Sequence, residues 1–323
     1  MRLFIRTIVT VTAAALLSIL ASAQSFTGKA IRIIVLYAAG GTSDILARAL
    51  SNKVGEALGA TVVVDNKPGA NGVLGSDLIA KSAPDGTTLL LTDVGGLTSA
   101  PALGAKLPFD VGKDFATITM IAYSPHLAVV NPAVPAKTPA ELVAASKVKV
   151  GSYSAATSGS GSAPHLAAAL FAKRVGIEWV YVPYKGGAQA LTDVMAGHAQ
   201  VMFNGMLATY PMVKGNQLRL LAVSSDKRWP TLPDVPTVAE SGYPGFVTGS
   251  WQGLLAAANT PPDIVAKLNA EFAKALSSPE IRERLLAQGA EPRPMTPVQF
   301  SLFLRDETSK WAQLAKETGI KLE

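Results

Sequence analysis

The chain has 323 residues, 49% of them hydrophobic and 16% charged, which is enough apolar material for one or two packed domains and excludes a disordered chain. It contains no cysteine, so a disulfide framework, thiolate chemistry and a lipidated cysteine anchor are excluded. The formal charge of +6 is spread along the sequence and forms no basic stripe of the kind that binds nucleic acid.

Residues 1–23 have the layout of a secretory signal peptide: Arg2 and Arg6, an apolar run from Ile8 to Leu20, then small residues at Ala21 to Ala23. Thr10, Thr12 and Ser18 interrupt the run, which is short for a bilayer span of about 20 apolar residues. Cleavage near Ala23 is therefore expected rather than a membrane anchor, and it lowers the formal charge to +4. With neither a disulfide framework nor a lipid tether, the simplest destination is a Gram-negative periplasm.

From Ala30 onward, short β-branched runs alternate with segments of helical period. "IRIIVLY" reads as a buried strand, and Ser43 to Leu58 sets Leu46, Leu50, Val54 and Leu58 on one helical face. "TVVVD" (61–65), a turn at Pro68 and Gly69, a helix near Val73 to Lys81 and "TLLLT" (88–92) continue a βαβ series, which predicts a parallel sheet covered on both faces. After "ITMIAYSPHLAVVNP" (118–132) a second series follows. It comprises a helix near Pro139 to Ser146, strand "KVKVGSY", a helix near Ala163 to Val175, strand "WVYVPY", a helix near Ala188 to Ala196 and strand "AQVMFN". Two more apolar runs, "LRLLAVSS" and "WQGLLAAA", precede helices near Pro262 to Ser277, Pro279 to Gln288 and Pro297 to Thr318, with the chain returning to its first domain. A local echo between "HLAVVNPAVPAKTPAELV" and "WQGLLAAANTPPDIVAKL" fits two strands crossing between lobes. It fits equally well any strand followed by a Pro-initiated helix.

Signals for catalysis are sparse. His126, His165 and His198 stand apart from one another, with no partner at metal-ligand spacing, and neither a Gly-x-Ser-x-Gly elbow nor a Gly-Lys-Ser/Thr phosphate loop occurs. Neither a cofactor nor a metal is expected.

Binding signals recur in one context, the turn where a strand hands over to a helix. There, free backbone N–H groups and the positive end of the helix dipole attract an anion without Lys or Arg. In "YAAGGTSDILAR" (37–48), Gly40 and Gly41 allow close backbone approach while Thr42 and Ser43 offer hydroxyls; simple helix capping by Thr42 or Ser43 accounts for the hydroxyls but not for two glycines. "LTDVGGLTS" places Thr92 and Asp93 in a similar turn. The Gly/Ser-rich loop "SYSAATSGSGSAPHL" offers Ser158, Ser160, Gly161 and Ser162, with a plain flexible connection as the equal alternative. "MFNGML" ends a strand at Asn204 and opens a turn at Gly205, and "VPYKGGAQAL" adds Lys185, which reads as readily as a surface charge. Such turns from two α/β units converge on one cleft, since ligands of open α/β sheets bind beyond the carboxyl ends of the strands.

In their order, "IRIIVLYAAGGTSDILAR", "VVVDNKPGANGVLG", "LPFDVGKDFATIT", "VPYKGGAQALTDVMAGHAQVMF" and "LRLLAVSSDKRWPTLPDVPTVAESG" resemble the substrate-binding receptors of tripartite tricarboxylate transporters, also called Bug receptors, from about Ala30 to Ile320. The resemblance implies an α/β, type II-like periplasmic binding protein with two lobes. Each lobe is a mixed, mainly parallel sheet flanked by helices, with the ligand cleft between them. Lobe 1 is expected over 26–122 plus 226–323 and lobe 2 over 123–225. It further implies a non-enzymatic receptor that closes on a small mono- or dicarboxylate and delivers it to membrane components of the transporter. The ligand is held by backbone amides and hydroxyls from Ala38 to Asp44 and from the loop at Phe203 to Met206. The sequence departs from the family pattern at Tyr37 and Ala38, where Phe-Pro is usual, at Asn204 and Gly205, where Asp-Asn is usual, and at Ala163 and Pro164, where a hydroxyl pair is usual. These are the places where ligand specificity is expected to differ. A sensor that docks on a membrane signalling kinase would use the same cleft, and a periplasmic hydrolase lacks a nucleophile motif.

Overall fold

A computed structural model describes residues 26–148 and 150–318; the leader expected over 1–23 lies outside them. The first α/β unit runs β1 (Ala30–Val35), α1 (Thr42–Leu58), β2 (Thr61–Asn66), α2 (Val73–Ala80) and β3 (Thr88–Thr92). β1 lies between β2 and β3 and is parallel to both. Its side chains alternate between two cores. Ile31, Ile33 and Val35 pack in one cluster with Leu46, Leu50 and Val54 of α1, while Ile34 belongs to a second cluster with Ile79 and Leu90. α1 stops at Gly59, whose left-handed backbone (φ 65°) lets its N–H cap the last carbonyls.

The two units are joined by β4 (Phe115–Val130), sixteen residues long. From Phe115 to Pro125 it runs antiparallel to β9 (Gly249–Ala257), and from His126 onward it is antiparallel to β7 (Val201–Gly205), with β8 (Arg219–Val223) on its other edge. The change of partner falls at Pro125, a residue with no N–H to give to a ladder. Tyr123, Ser124 and Pro125 pair with Trp251, Ser250 and Gly249 of β9.

The second unit contains α3 (Pro139–Val148), β5 (Ser154–Thr157), α4 (Ala163–Val175), β6 (Val180–Pro183), α5 (Gly187–Met195), β7, α6 (Met206–Lys214) and β8. β5 is parallel to β6 and β7. In both lobes the outer strands are parallel, and the strands that cross or adjoin β4 are antiparallel. The strand expected at "KVKVGSY" forms later, at Ser154–Thr157. α3 runs on through Val148, which is 87% exposed, and Val150 is 68% exposed.

Within the segment 226–248, expected with lobe 1 from the sequence, Trp229 Nε1 donates to the Leu286 carbonyl of the helix at 279–287 at 3.3 Å. Val238 and Phe246 lie in the second lobe's core with Phe171 and Phe203, and the Phe246 ring centroid is 5.7 Å from that of Phe171 and 5.9 Å from that of Phe203. Burying an aromatic side chain of this kind stabilises by roughly 1.5–3 kcal/mol, which ties the irregular stretch around Val238 and Phe246 to that core. β9 then re-enters the first sheet beside β3, and α7 (Pro262–Ser277), α8 (Pro279–Ala287), β10 (Glu291–Pro292) and α9 (Pro297–Thr318) complete that lobe.

Candidate functional site

The lobes meet directly. The Ala38 N–H donates to the Lys185 carbonyl at 3.1 Å, and Ser99 Oγ donates to the Gly161 carbonyl at 2.6 Å. Between them lies a cavity of about 30 Å³, bordered by Tyr37, Gly41, Thr42, Ser43, Asp44 and Asp93 from the first unit and by Ser158, Pro164, Gly187 and Asn204 from the second. Ser250 and Gln252 of β9 complete the wall. Three helix N-termini converge there: Gly41 to Ser43 open α1, Pro164 stands in the first turn of α4, and Gly187 opens α5. The first N–H groups of a helix lack intrahelical acceptors, so α1 and α5 bring backbone donors to this volume, whereas α4 borders it with Pro164, which has no N–H, and contributes only its positive dipole end.

The α1 turn is fixed from within. Asp44 accepts from the Gly40 N–H at 2.9 Å and from Arg48 Nε at 3.0 Å. Burial alone would raise its pKa, but the hydrogen bonds from Arg48, Gly40 and Asn66 outweigh burial and hold it below the usual carboxylate value. Asp44 therefore keeps its charge while serving the turn rather than a ligand. Asp93 is the opposite case. Burial pushes it up to about 6, only partly opposed by the Gly95 N–H and the Tyr37 hydroxyl, each 2.9 Å from Oδ1. The Tyr37 phenol, itself buried beside Asp93, is held well above its ordinary pKa, chiefly by that burial.

Of the residues expected from the sequence, Tyr37, Gly41, Thr42, Ser43, Asp93 and Asn204 border the cavity. Gly40 supports the turn through Asp44. Thr92 is buried at the end of β3 and donates to the Asp93 carbonyl at 3.3 Å, behind the site. The Gly/Ser loop divides its labour. Ser158 faces the cavity. Ser160 borders an adjoining chamber of about 470 Å³ that shares Tyr37 and Ser158 with it. Gly161 makes the contact with Ser99, and Ser162 caps α4 by accepting from the His165 N–H at 3.4 Å. Gly205 does not border the cavity and opens no turn: it ends β7, and α6 begins at the next residue. A Cβ at Gly205 would come 2.7 Å from Thr42 Oγ1 of the other lobe, and one at Gly187 would come 2.9 Å from Asn204 Oδ1. Both glycines are close-approach positions.

Ser250 and Gln252 are additions that the sequence reading missed. They are i, i+2 on a buried strand, so they present two polar groups on one face of an otherwise apolar run, and that pattern was the available signal. His126 is fully buried on the crossing strand, with Nδ1 3.1 Å from Thr248 Oγ1 and Nε2 3.0 Å from Ser250 Oγ. Burial lowers its pKa to about 3, so the ring is neutral. Among the described residues no group of three or more His, Asp or Glu is placed to hold a metal, and no helix is long and apolar enough to cross a membrane. A larger groove of about 1200 Å³, bordered by Trp229, Trp251, Phe303 and Trp311, lies elsewhere and lacks the convergent backbone donors.

The model of the tripartite tricarboxylate transporter family receptor matches residues 46–320. Protein BugT of Bordetella pertussis is 38% identical over 307 residues, covering 94% of this chain and 93% of BugT. Among solved structures, R. palustris Rpa4515 with adipate superposes with a TM-score of 0.89 at 32% identity, over 91% of this chain and 98% of that one. MatC from Rhodopseudomonas palustris with bound malate superposes with a TM-score of 0.85 at 31% identity, over 90% and 99%. A cavity ringed by helix N-termini between two α/β lobes, and a sequence match spanning nearly the whole described chain, lead to one assignment: the chain belongs to the tripartite tricarboxylate transporter receptor family of periplasmic solute-binding proteins.

Proposed function

We propose that this protein is a periplasmic receptor that closes on a small organic carboxylate and delivers it to the membrane components of a tripartite transporter. The observation that carries the reading is the convergence of the α1, α4 and α5 N-termini on one cavity between the lobes with no lysine or arginine on its wall. Such a wall suits one carboxylate group, held by amide N–H groups and by the hydroxyls of Thr42, Ser43 and Ser158. The cavity of about 30 Å³ has the volume of a single water molecule, so a ligand enters only when the lobes part. Closure over it then creates the composite two-lobe surface that a permease reads. The adipate and malate held by the two related structures support the ligand class. The sequence of residues 1–23 supports export.

Thermal unfolding with a panel of mono- and dicarboxylates, adipate and malate included, tests the reading. At least one acid raises the melting temperature in a concentration-dependent way, as binding to the native state alone requires. A flat response across the panel would sink it. Delivery is tested separately: uptake of the stabilising acid by cells is lost on deletion of the receptor and restored by its return.

A further inference from the structure

His126 sits where three segments of the chain are tied together. Its N–H donates to the Thr248 carbonyl at 3.3 Å, the Thr248 N–H to the Ser224 carbonyl at 2.9 Å, and the Ser224 N–H to the His126 carbonyl at 2.9 Å, which closes a ring of backbone hydrogen bonds. The buried Ser224 Oγ also accepts from the His126 N–H at 3.0 Å. The backbone beneath the imidazole is thus fixed, and both ring nitrogens are engaged: Nδ1 lies 3.1 Å from Thr248 Oγ1, and Nε2 lies 3.0 Å from Ser250 Oγ. Ser250 in turn borders the cavity of about 30 Å³ together with Gly41, Thr42 and Ser43. One serine therefore meets the imidazole on one side and the ligand position on the other.

A neutral imidazole donates through one nitrogen and accepts through the other, so it makes the two hydroxyls run in one direction. The ring is neutral, because burial lowers its pKa to about 3. With the proton on Nδ1, the ring donates to Thr248 Oγ1 and Nε2 takes the Ser250 hydroxyl proton, which leaves oxygen lone pairs towards the cavity. With the proton on Nε2, Thr248 donates to Nδ1, the ring donates to Ser250 Oγ, and the Ser250 hydroxyl proton points at an acceptor in the cavity. A carboxylate offers acceptors only, so it is repelled by the first arrangement and completes the second. We propose that His126 is a positioning residue for the ligand: through its Nε2–H it turns the Ser250 hydroxyl into a donor to the bound carboxylate. The chain of donors runs from Thr248 through His126 and Ser250 to the ligand. The inference rests on the carboxylate-receptor reading above and adds a donor whose direction is set from β4, the strand that joins the two units.

Nitrogen NMR of the wild-type chain with isotope-labelled histidine, saturated with acetate, malate or adipate, reads which ring nitrogen carries the proton; the His126 signal is the one missing from His126→Gln. With an acid bound, the proton is on Nε2. Calorimetric titration with the same acids gives the second readout. Ser250→Ala lowers the affinity at least about tenfold, as loss of a hydrogen bond to a charged group does. His126→Leu lowers it at least about threefold in the wild type but by less than about twofold in Ser250→Ala, because the ring acts only through that hydroxyl. His126→Gln, whose amide nitrogen can donate where Nε2 does, stays within about twofold of the wild type. Should His126→Leu fail to fold, the NMR signal and Ser250→Ala decide. A proton on Nδ1 in the acid-bound protein, an unchanged affinity in Ser250→Ala, or additive losses in the double variant overturns this proposal and leaves the carboxylate reading standing. Failure of all three acids to bind the wild type overturns the carboxylate reading and this inference with it.

Discussion

The two walls of the cleft are built on different plans. The lobe 1 wall is tied down by its own side chains: Asp44 holds Gly40 and Arg48, and Tyr37 bonds Asp93 at 2.9 Å and Asn71 at 3.1 Å. The lobe 2 wall is smoother. It offers Gly187 and an Asn204 whose Nδ2 is already given to Thr209 Oγ1 at 3.0 Å, with Gly205 beside them in close approach to Thr42 of the other lobe. On the carboxylate-receptor reading proposed above, the difference makes lobe 1 the anchor and lobe 2 the lid. A preorganised turn loses little entropy when it takes a ligand, and a lid of glycine backbone closes without ordering long side chains.

The largest expected effect concerns the acid buried in the anchored wall. Asp93 has its pKa raised from 3.8 to about 6, so the native state holds its proton more tightly than the unfolded chain does. Its contribution to stability is present below pH 3.8 and lost as pH rises through about 6, a loss of about 3 kcal/mol at ~1.4 kcal/mol per unit. His126 runs the other way. With its pKa lowered from 6.5 to about 3, its stability contribution is present above pH 6.5 and lost as pH falls toward 3. The two slopes oppose each other between about pH 4 and pH 6. Asp93→Asn removes one of them, so the variant is the more stable form at pH 7 and loses stability steadily on acidification. His126→Gln exposes the converse slope. Urea unfolding at closely spaced pH values measures this, and parallel curves for wild type and Asp93→Asn would contradict it. An acid that destabilises the empty protein at neutral pH is the kind of cost that persists where function uses the group.

The second effect breaks the lid. Gly205 has an ordinary extended backbone (φ −52°, ψ 130°), so Val fits the chain there, but its Cβ would press on Thr42 Oγ1 across the cleft. Gly205→Val is expected to weaken carboxylate binding at least ~10-fold, about 1.4 kcal/mol. The loss is partly recovered by Thr42→Ala, because the clash is with that hydroxyl. A double-mutant cycle on affinity measures the coupling, and purely additive losses would show that the lobes do not close at this point.

How far the sequence discloses this design depends on which residues carry it. The α1 turn was legible because its strand, two glycines and helix are contiguous, and the limits of α4, Ala163–Val175, agree with the helical period. β5 was hidden because "SAAT" carries no β-branched signal apart from its Thr. Its Ala155 is buried in the same cluster as Ala167 and Ala168 of α4, and its Ala156 in the same cluster as Ala190 and Leu191 of α5. Small residues are what let two helices cover so short a strand, whereas the more strand-like Val148 and Val150 face solvent. The packing of Val238 and Phe246 with Phe171 and Phe203 was hidden because no periodic element marks that segment. Asn204 was found from its place at a strand end. Gln252 was not, because its role depends on β9 passing behind the α1 turn, a long-range fact of topology.

The smallest expected effect is the sharpest test of an anchor without cations. Lys185 lies in a turn that meets the α1 turn across the cleft, and it contributes its backbone: its carbonyl accepts the Ala38 N–H at 3.1 Å, while its exposed side chain borders the outer chamber. An exposed lysine of this kind is worth ~0–1 kcal/mol, so Lys185→Gln is expected to change the affinity for a short acid by no more than about twofold. Raising ionic strength from about 0.01 to 0.15 M, which shortens the screening length from about 30 to 8 Å, is expected to leave that affinity nearly flat. Gly186→Val, by contrast, sets a Cβ 3.0 Å from the Ala38 nitrogen at a glycine of φ +159° and is expected to disturb closure. A steep salt dependence, or a large loss in Lys185→Gln, would mean that a side-chain charge holds the ligand after all. A site of amides and hydroxyls binds an anion with moderate strength and releases it readily, and release is the step on which a delivering receptor depends.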